Sequence, residues 1–283
     1  MPGVRLQTPA RRLDTALARQ LSEQAVTLAR QLAAGRLLIE SLAALSAACY
    51  RAGEPERGLA PGREAVERAR QLGDDVLLGM SLTEYLLCDA VIDPAHAEPL
   101  FTEAIACTQR SGDHLFAYYL DICAALYALR AGDIPAARTH LQQAAQAGQE
   151  MGLKALGVSV NMGWVLRQDH DPDGARASFE DALRISRREG DRYGIAYASL
   201  GLACLAADTA DWHRAAVLHG LAQASLDSTG QPWEELEARY RQDTLDQVRA
   251  HLDQAQFERA HATGMTLSPD QALDLASGKI HPA

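Results

Sequence analysis

Acidic residues that open short loops recur along this chain at Glu54, Asp93, Asp133, Asp171 and Asp211, spaced 39, 40, 38 and 40 residues apart. Nineteen residues after each comes a glycine: Gly73, Gly112, Gly152, Gly190 and Gly230. A fixed period of this length marks a stacked repeat, in which each unit buries its apolar face only against its neighbours.

The positions between acid and glycine keep the same beat. Four residues on lie Gly58, Ala97, Ala137, Ala175 and Ala215, and eleven on lie Ala65, Ala104, Ala144, Ala182 and Ala222. Eight on lie Gly62, Phe101, Leu141, Phe179 and His219, bulky at Phe101, Leu141 and Phe179. Steps of four, four and three stay on one helical face. Small residues there let a neighbouring helix approach closely, and the bulky one fills the gap between pairs.

Only 5% of residues are aromatic while Ala and Leu are abundant, a balance that favours helices. The loop acid suits an N-cap, Pro55, Pro94 and Pro172 follow it at N1, and the later glycine suits a left-handed helix end. Upstream of each acid a second apolar helix is expected, such as Leu37 to Arg51 or Leu115 to Arg130. Each unit is helix A, turn, helix B, stop. No strand-like alternation interrupts the helical patterns.

These residues resemble the tetratricopeptide repeat. Its turn Gly-Asp followed by Ala, a bulky residue and Ala is clearest in Gly132-Asp133 with Ala137, Leu141 and Ala144, and in Asp171 with Ala175, Phe179 and Ala182. The small helix-A position eight before the acid holds Ser46, Ala125, Gly163 and Ala203, but Tyr85 in the second unit. The family's helix-A tryptophan is absent and the period of 38–40 is long, as in a long-helix variant. The resemblance implies an all-α, right-handed α-solenoid over residues 14–230, made of a leading helix and five helix pairs. Residues 1–13 form an N-terminal arm, and residues 231–283 a helical C-terminal cap and tail. Asp14, Ala18 and Ala25 keep the offsets of a helix B whose helix A is missing, as if the chain began mid-repeat.

Past Gly230 the period stops. Trp212 to Gly220, Gly230-Gln231-Pro232, Tyr240, Val248-Arg249, Phe257 with Ala260, Gly264 and Leu267-Ser268 through Ala272-Leu273 resemble the end of the repeat region in actinobacterial signal-transduction ATPases of LuxR-type or antibiotic-regulator architecture. That resemblance implies a sensing or docking role. It does not bring the ATPase or DNA-binding parts, because no GxxxxGK[ST] loop occurs and the 19 residues from Met265 cannot hold a helix-turn-helix domain.

The net charge of −10 and pI near 5.4 argue against a nucleic-acid surface. Neither a signal-peptide core nor a membrane-spanning apolar run is present, so a soluble cytoplasmic protein is expected. Cys49, Cys88, Cys107, Cys123 and Cys204 never fall at CxxC spacing and read as reduced core thiols. Asp169-His170-Asp171-Pro172-Asp173-Gly174 with Glu180 matches the calcium loop D-x-D-x-D-G-x₅-E. Arg176 takes its apolar position, however, and the repeat makes Ala175 to Glu180 helix, so a structural turn is the preferred reading. The nine histidines show no HExxH and no serine sits in GxSxG, so no metal, cofactor or catalytic centre is expected. Asp74-Asp75 and Glu234-Glu235 read as helix-start carboxylates.

The expected activity is binding. Groove positions carried over from the tetratricopeptide family are Glu40, Tyr50, Arg51, Asp89, Tyr119, Arg130, Trp164, Arg167 and Tyr197, interleaved with Leu82, Leu86, Ile122, Leu126, Val160 and Leu200. An Arg/aromatic lining over an apolar floor suits an amphipathic peptide or a drug-sized acidic ligand. The partner is thus a protein, a peptide or a small-molecule inducer, without nucleic acid or membrane, and a homodimer is compatible. The alternatives are a free-standing peptide-docking scaffold and an enzyme that uses the groove as a pocket.

Overall fold

The computed structural model describes residues 15–153 and 156–276. The expected N-terminal arm and Asp14 lie outside the described residues. A leading helix, α1 (Thr15–Gln31), precedes five pairs: α2 (Gly35–Arg51) with α3 (Pro55–Leu72), α4 (Asp75–Ile92) with α5 (Pro94–Ser111), α6 (His114–Ala131) with α7 (Ile134–Met151), α8 (Leu156–Gln168) with α9 (Pro172–Glu189), and α10 (Arg192–Asp208) with α11 (Trp212–Asp227). Three helices follow: α12 (Glu235–His251), α13 (Gln254–Thr266) and α14 (Pro269–Ala276). No strand occurs among the described residues. From α1 to α13 each helix packs on its neighbour in the chain, α14 packs on α9, α10 and α11, and α2, α4, α6, α8 and α10 also touch one another in turn. The A helices therefore form one continuous layer.

The punctuation acts largely as its chemistry requires. The side chains of Asp93, Asp133, Asp171 and Asp211 accept backbone N–H groups of their own helices, whereas Glu54, one methylene longer, makes no such bond. Gly73, Gly112, Gly152 and Gly190 end helices with φ of 70, 67, 69 and 70°, where a Cβ would be strained. Gly230 keeps a φ of 72° but lies past the end of α11, whose cap is Ser228. A second series of acids, Asp74, Asp113 and Asp191, caps the A helices. Asp75 does not cap; it pairs with Arg110 at 2.6 Å.

Close approach explains the small positions. The Phe179 ring from α9 is wedged against Gly163 of α8 and Gly201 of α10, and a Cβ on Gly163 would lie 2.6 Å from it. Between α3 and α4 the same volume is supplied from the opposite side. There Tyr85 is the large residue and Gly62 the small one, with Tyr85 Cδ2 2.5 Å from where a Cβ would stand. Gly62 and Tyr85, which both depart from the pattern, thus compensate each other.

The calcium-like loop is an A–B turn: Asp169 pairs with Arg138, Asp171 caps α9, and Phe179 is core, so Glu180 stays on its helix. No described group of three or more His, Cys, Asp and Glu side chains is arranged around a common point. Among the described residues, no helix is long and apolar enough to cross a membrane.

Beyond the last pair, α13 lies along α11, their backbones meeting at Gly220 and Gly264. His219, at the bulky repeat position, is 1% exposed beside His261, and neither ring nitrogen has a partner. Burial, followed by the charges of Arg241, His261 and Arg249, lowers its pKa from 6.5 to about 3. As pH falls below 6.5 the unfolded chain takes up this proton first, so stability is lost between 6.5 and about 3. His219→Leu should remove that loss. Thermal melts at stepped pH should show the variant gaining on the parent, by up to about 1.4 kcal/mol per pH unit in that window.

Candidate functional site

The chain returns from the end of the array to its beginning. After α11, residues 231–234 cross the layer of A helices, and Pro232 comes within 3.2 Å of where a Cβ on Gly53 would stand, at the turn after α2. Glu234 then reaches side chains from both ends of the array. Tyr50 of α2 donates its hydroxyl to Glu234 Oε2 at 2.7 Å, and Tyr193 of α10 donates to Oε1 at 2.5 Å. The Glu234 backbone N–H donates to Tyr197 Oη at 3.0 Å. Tyr193 and Tyr197 stack at 4.2 Å, and Trp233 packs on Tyr197 at 5.3 Å. Burial, and then the charge of Glu234, pushes the hydroxyls of Tyr50, Tyr193 and Tyr197 well above the ordinary tyrosine range, so they remain donors.

One turn on, Glu237 is only 3% exposed. Burial first, and the neighbouring Glu234 second, holds its carboxyl well above the usual range, against the opposing charge of Arg130. The Trp164 indole N–H faces Glu237 without closing a hydrogen bond. A second anchor is Tyr240, whose ring packs on Trp164 at 4.6 Å and whose hydroxyl accepts from Gln168. Arg167 sits 5.7 Å from the same ring and forms two bonds to Asp208, at 2.7 and 2.8 Å.

The raised acid has a pH consequence. A carboxyl that stays protonated in the fold but ionises near 4.5 in the unfolded chain favours folding at low pH; that contribution fades as pH climbs from 4.5 through neutrality. Glu237→Gln should therefore gain stability over the parent as pH rises from about 5 to 8, by about 1 kcal/mol or more in denaturant titrations.

The structure brings together only some of the expected groove. Tyr50, Arg130 and Tyr197 converge around Glu234, and Trp164 and Arg167 around Tyr240. Trp164 is fully buried between Phe179 and Tyr240, and Leu82, Leu86 and Leu200 are likewise core, so none of these offers a free groove surface. Asp89 is buried and bonded to His96 Nδ1 at 2.8 Å. Glu40 pairs with Arg36, Arg51 is exposed and charge-coupled to Glu84, and Tyr119 is half exposed against Tyr118. Ile122 and Leu126 are partly buried, and Val160 is core.

The sequence leads one to expect Glu234 as a helix-start carboxylate. It does precede α12, but its side chain makes no cap bond and turns to the tyrosines instead. Sequence reasoning also missed Tyr193, Trp233, Glu237 and Tyr240 as site residues. The available signal was the cluster Trp233-Glu234-Glu235 with Glu237, acids beside a large aromatic where the repeat ends.

An open cleft remains next to this seam, about 350 Å³ in volume, where α4, α6 and α12 meet. Ala90, Val91, Ala131 and Leu236 give it an apolar lining, and Tyr127, Arg130, Glu235 and Arg239 a polar one. Arg130 Nε is buried and without a hydrogen-bond partner.

The arrangement defines a class of protein: an all-helical array of packed pairs whose inner layer is crossed by its own C-terminal segment. The fold is similar to that of BtubC (BKLC) from P. vanneervenii, with a TM-score of 0.56 and 17% sequence identity over 90% of this chain and 94% of that one. No protein family matches the chain, and no curated protein matches it in sequence.

Proposed function

We propose that this chain is a non-catalytic binding module, a right-handed solenoid of the tetratricopeptide type. In this reading it serves as a regulatory or sensing region related to the LuxR-type regulators of actinobacteria. The repeat beat, the left-handed glycine stops and the continuous A-helix layer support the repeat assignment. The binding reading is carried by one observation: the cleft of about 350 Å³ in which two guanidinium groups outnumber the one carboxylate, Glu235, over an apolar lining. Such a cleft is at the small end of ligand pockets and suits a compact amphipathic carboxylate, which guanidinium groups bind through paired hydrogen bonds.

Calorimetry with 4-phenylbutyrate and 4-phenylbutylamine tests this. The carboxylate should bind with a dissociation constant in the micromolar to millimolar range, the amine should not, and Arg239→Gln should weaken the carboxylate about tenfold. Equal heats for the two compounds, or no heat from either, would sink the reading. A peptide-docking scaffold is the second reading, favoured by the chain segment that already lies across the A helices.

A further inference from the structure

The segment across the A helices is held as a ligand is held. Its carboxylate sits between two tyrosine hydroxyls, its backbone N–H bonds a third, and its two aromatic rings rest on Tyr197 and Trp164. The surface beneath is built mainly of donors and ring faces drawn from α2, α6, α8 and α10, which makes it complementary to acids spaced between aromatics.

Some polar atoms of the seam are also left unmatched. Trp233 Nε1, Trp164 Nε1 and Arg130 Nε are all buried along this seam without partners. Glu234 and Glu237 stand one turn apart, and the charge of Arg130 acts against their mutual repulsion. The attachments on either side differ from the seam. Residues 228–234 lie outside any helix and include Gly230 at φ 72° and Pro232, whereas α13 is locked to α11 backbone to backbone at Gly220 and Gly264. The segment can therefore lift while the cap beyond it stays in place.

We propose that residues 231–240 are a tethered internal ligand, and that the surface beneath is a docking site for an acidic segment of a partner protein that carries tryptophan, glutamate and tyrosine in the same order. The incoming segment takes the Tyr50–Tyr193 clamp and the Trp164 face, and the first turns of α12 are released. This rests on the binding-module reading and names its partner and its control. A tethered occupant acts at an effective concentration of about 1 mM, so a strap of about 10 μM intrinsic affinity holds a competing segment off about 100-fold until it is loosened.

The test uses the full chain and a fluorescent synthetic peptide spanning residues 229–242. The double variant Trp233→Ala, Glu234→Ala should bind this peptide at least about tenfold more tightly than the parent, because its own strap no longer competes. A peptide with glutamine at the positions of Glu234 and Glu237 should bind at least about tenfold more weakly than the acidic one. A variant that keeps its helical circular dichroism yet binds no better than the parent overturns the proposal, as does equal binding of the two peptides. Hydrogen exchange on the parent decides independently if the variant fails to fold. Amides of 235–241 should exchange faster than those of α11 and α13, and equal protection would make the strap core and end the idea. A parent chain that binds 4-phenylbutyrate while its strap proves immovable loses this inference alone, whereas loss of both binding events removes the module reading as well.

Discussion

Ala182→Asp should cost about 3 kcal/mol or more, enough to unfold much of the chain near body temperature. Ala182 occupies the position eleven residues after the loop acid, is fully buried, and lies where α9 meets its neighbours. A carboxylate placed there loses its water inside the large apolar cluster that Ala182 shares with Phe179 and Leu183. The control is Ala177→Asp, the same exchange on the same helix at an exposed site. It should cost only the helix-propensity difference, about 0.7 kcal/mol. Chemical denaturation of both variants reads the gap directly. Similar costs would mean that α9 does not bury this face.

Gly264→Ala should be the other large effect, about 3 kcal/mol, with release of α13 from α11. A Cβ on Gly264 would overlap the carbonyl oxygen of Val217 and press on its carbon at 2.8 Å. Both are backbone atoms, so no rotamer change relieves the clash and the helices must part. Limited proteolysis should then cut near Leu252 and Asp253, at the junction before α13. The contrast is Gly157→Ala in α8, where the nearest atom is Ile122 Cδ1 at 4.0 Å. That change should instead stabilise the chain, by about 0.5–1 kcal/mol, because alanine loses less freedom in a helix. A mild effect at Gly264 would show that the two helices are not in backbone contact.

Much of the architecture was legible because a repeat aligns a sequence with itself. One acid and one glycine gave the helix ends; five copies gave the register; Ala65, Ala104, Ala144, Ala182 and Ala222 gave the inner contact. Even Gly62 and Tyr85, which broke the pattern, broke it together, and only their spatial apposition shows why. The site was harder to read. Tyr50, Arg130 and Tyr197 are groove positions implied by the resemblance to the tetratricopeptide repeat, but what they face, Glu234, lies where the period has stopped and nothing aligns it. Adjacent carboxylates before a helix ordinarily serve the helix dipole, and only the three-dimensional path of residues 231–234 turns Glu234 elsewhere. Trp164 failed as a groove residue for a related reason. Register places it on the inward face, but it cannot reveal that Tyr240 covers that face. The resemblance to LuxR-type regulators rests on residues of the last pair and cap, whereas the structural likeness to BtubC concerns the fold alone.

The bond from Tyr50 to Glu234 spans 184 positions of sequence. A linear array of units usually frays from whichever end is weaker, each unit feeling only the next. Here the first pair and the stretch after the last are fastened to each other, so disturbance at one terminus is transmitted to the opposite one without passing through the units between. Unfolding should accordingly be a single event where a chain of independent links would show several.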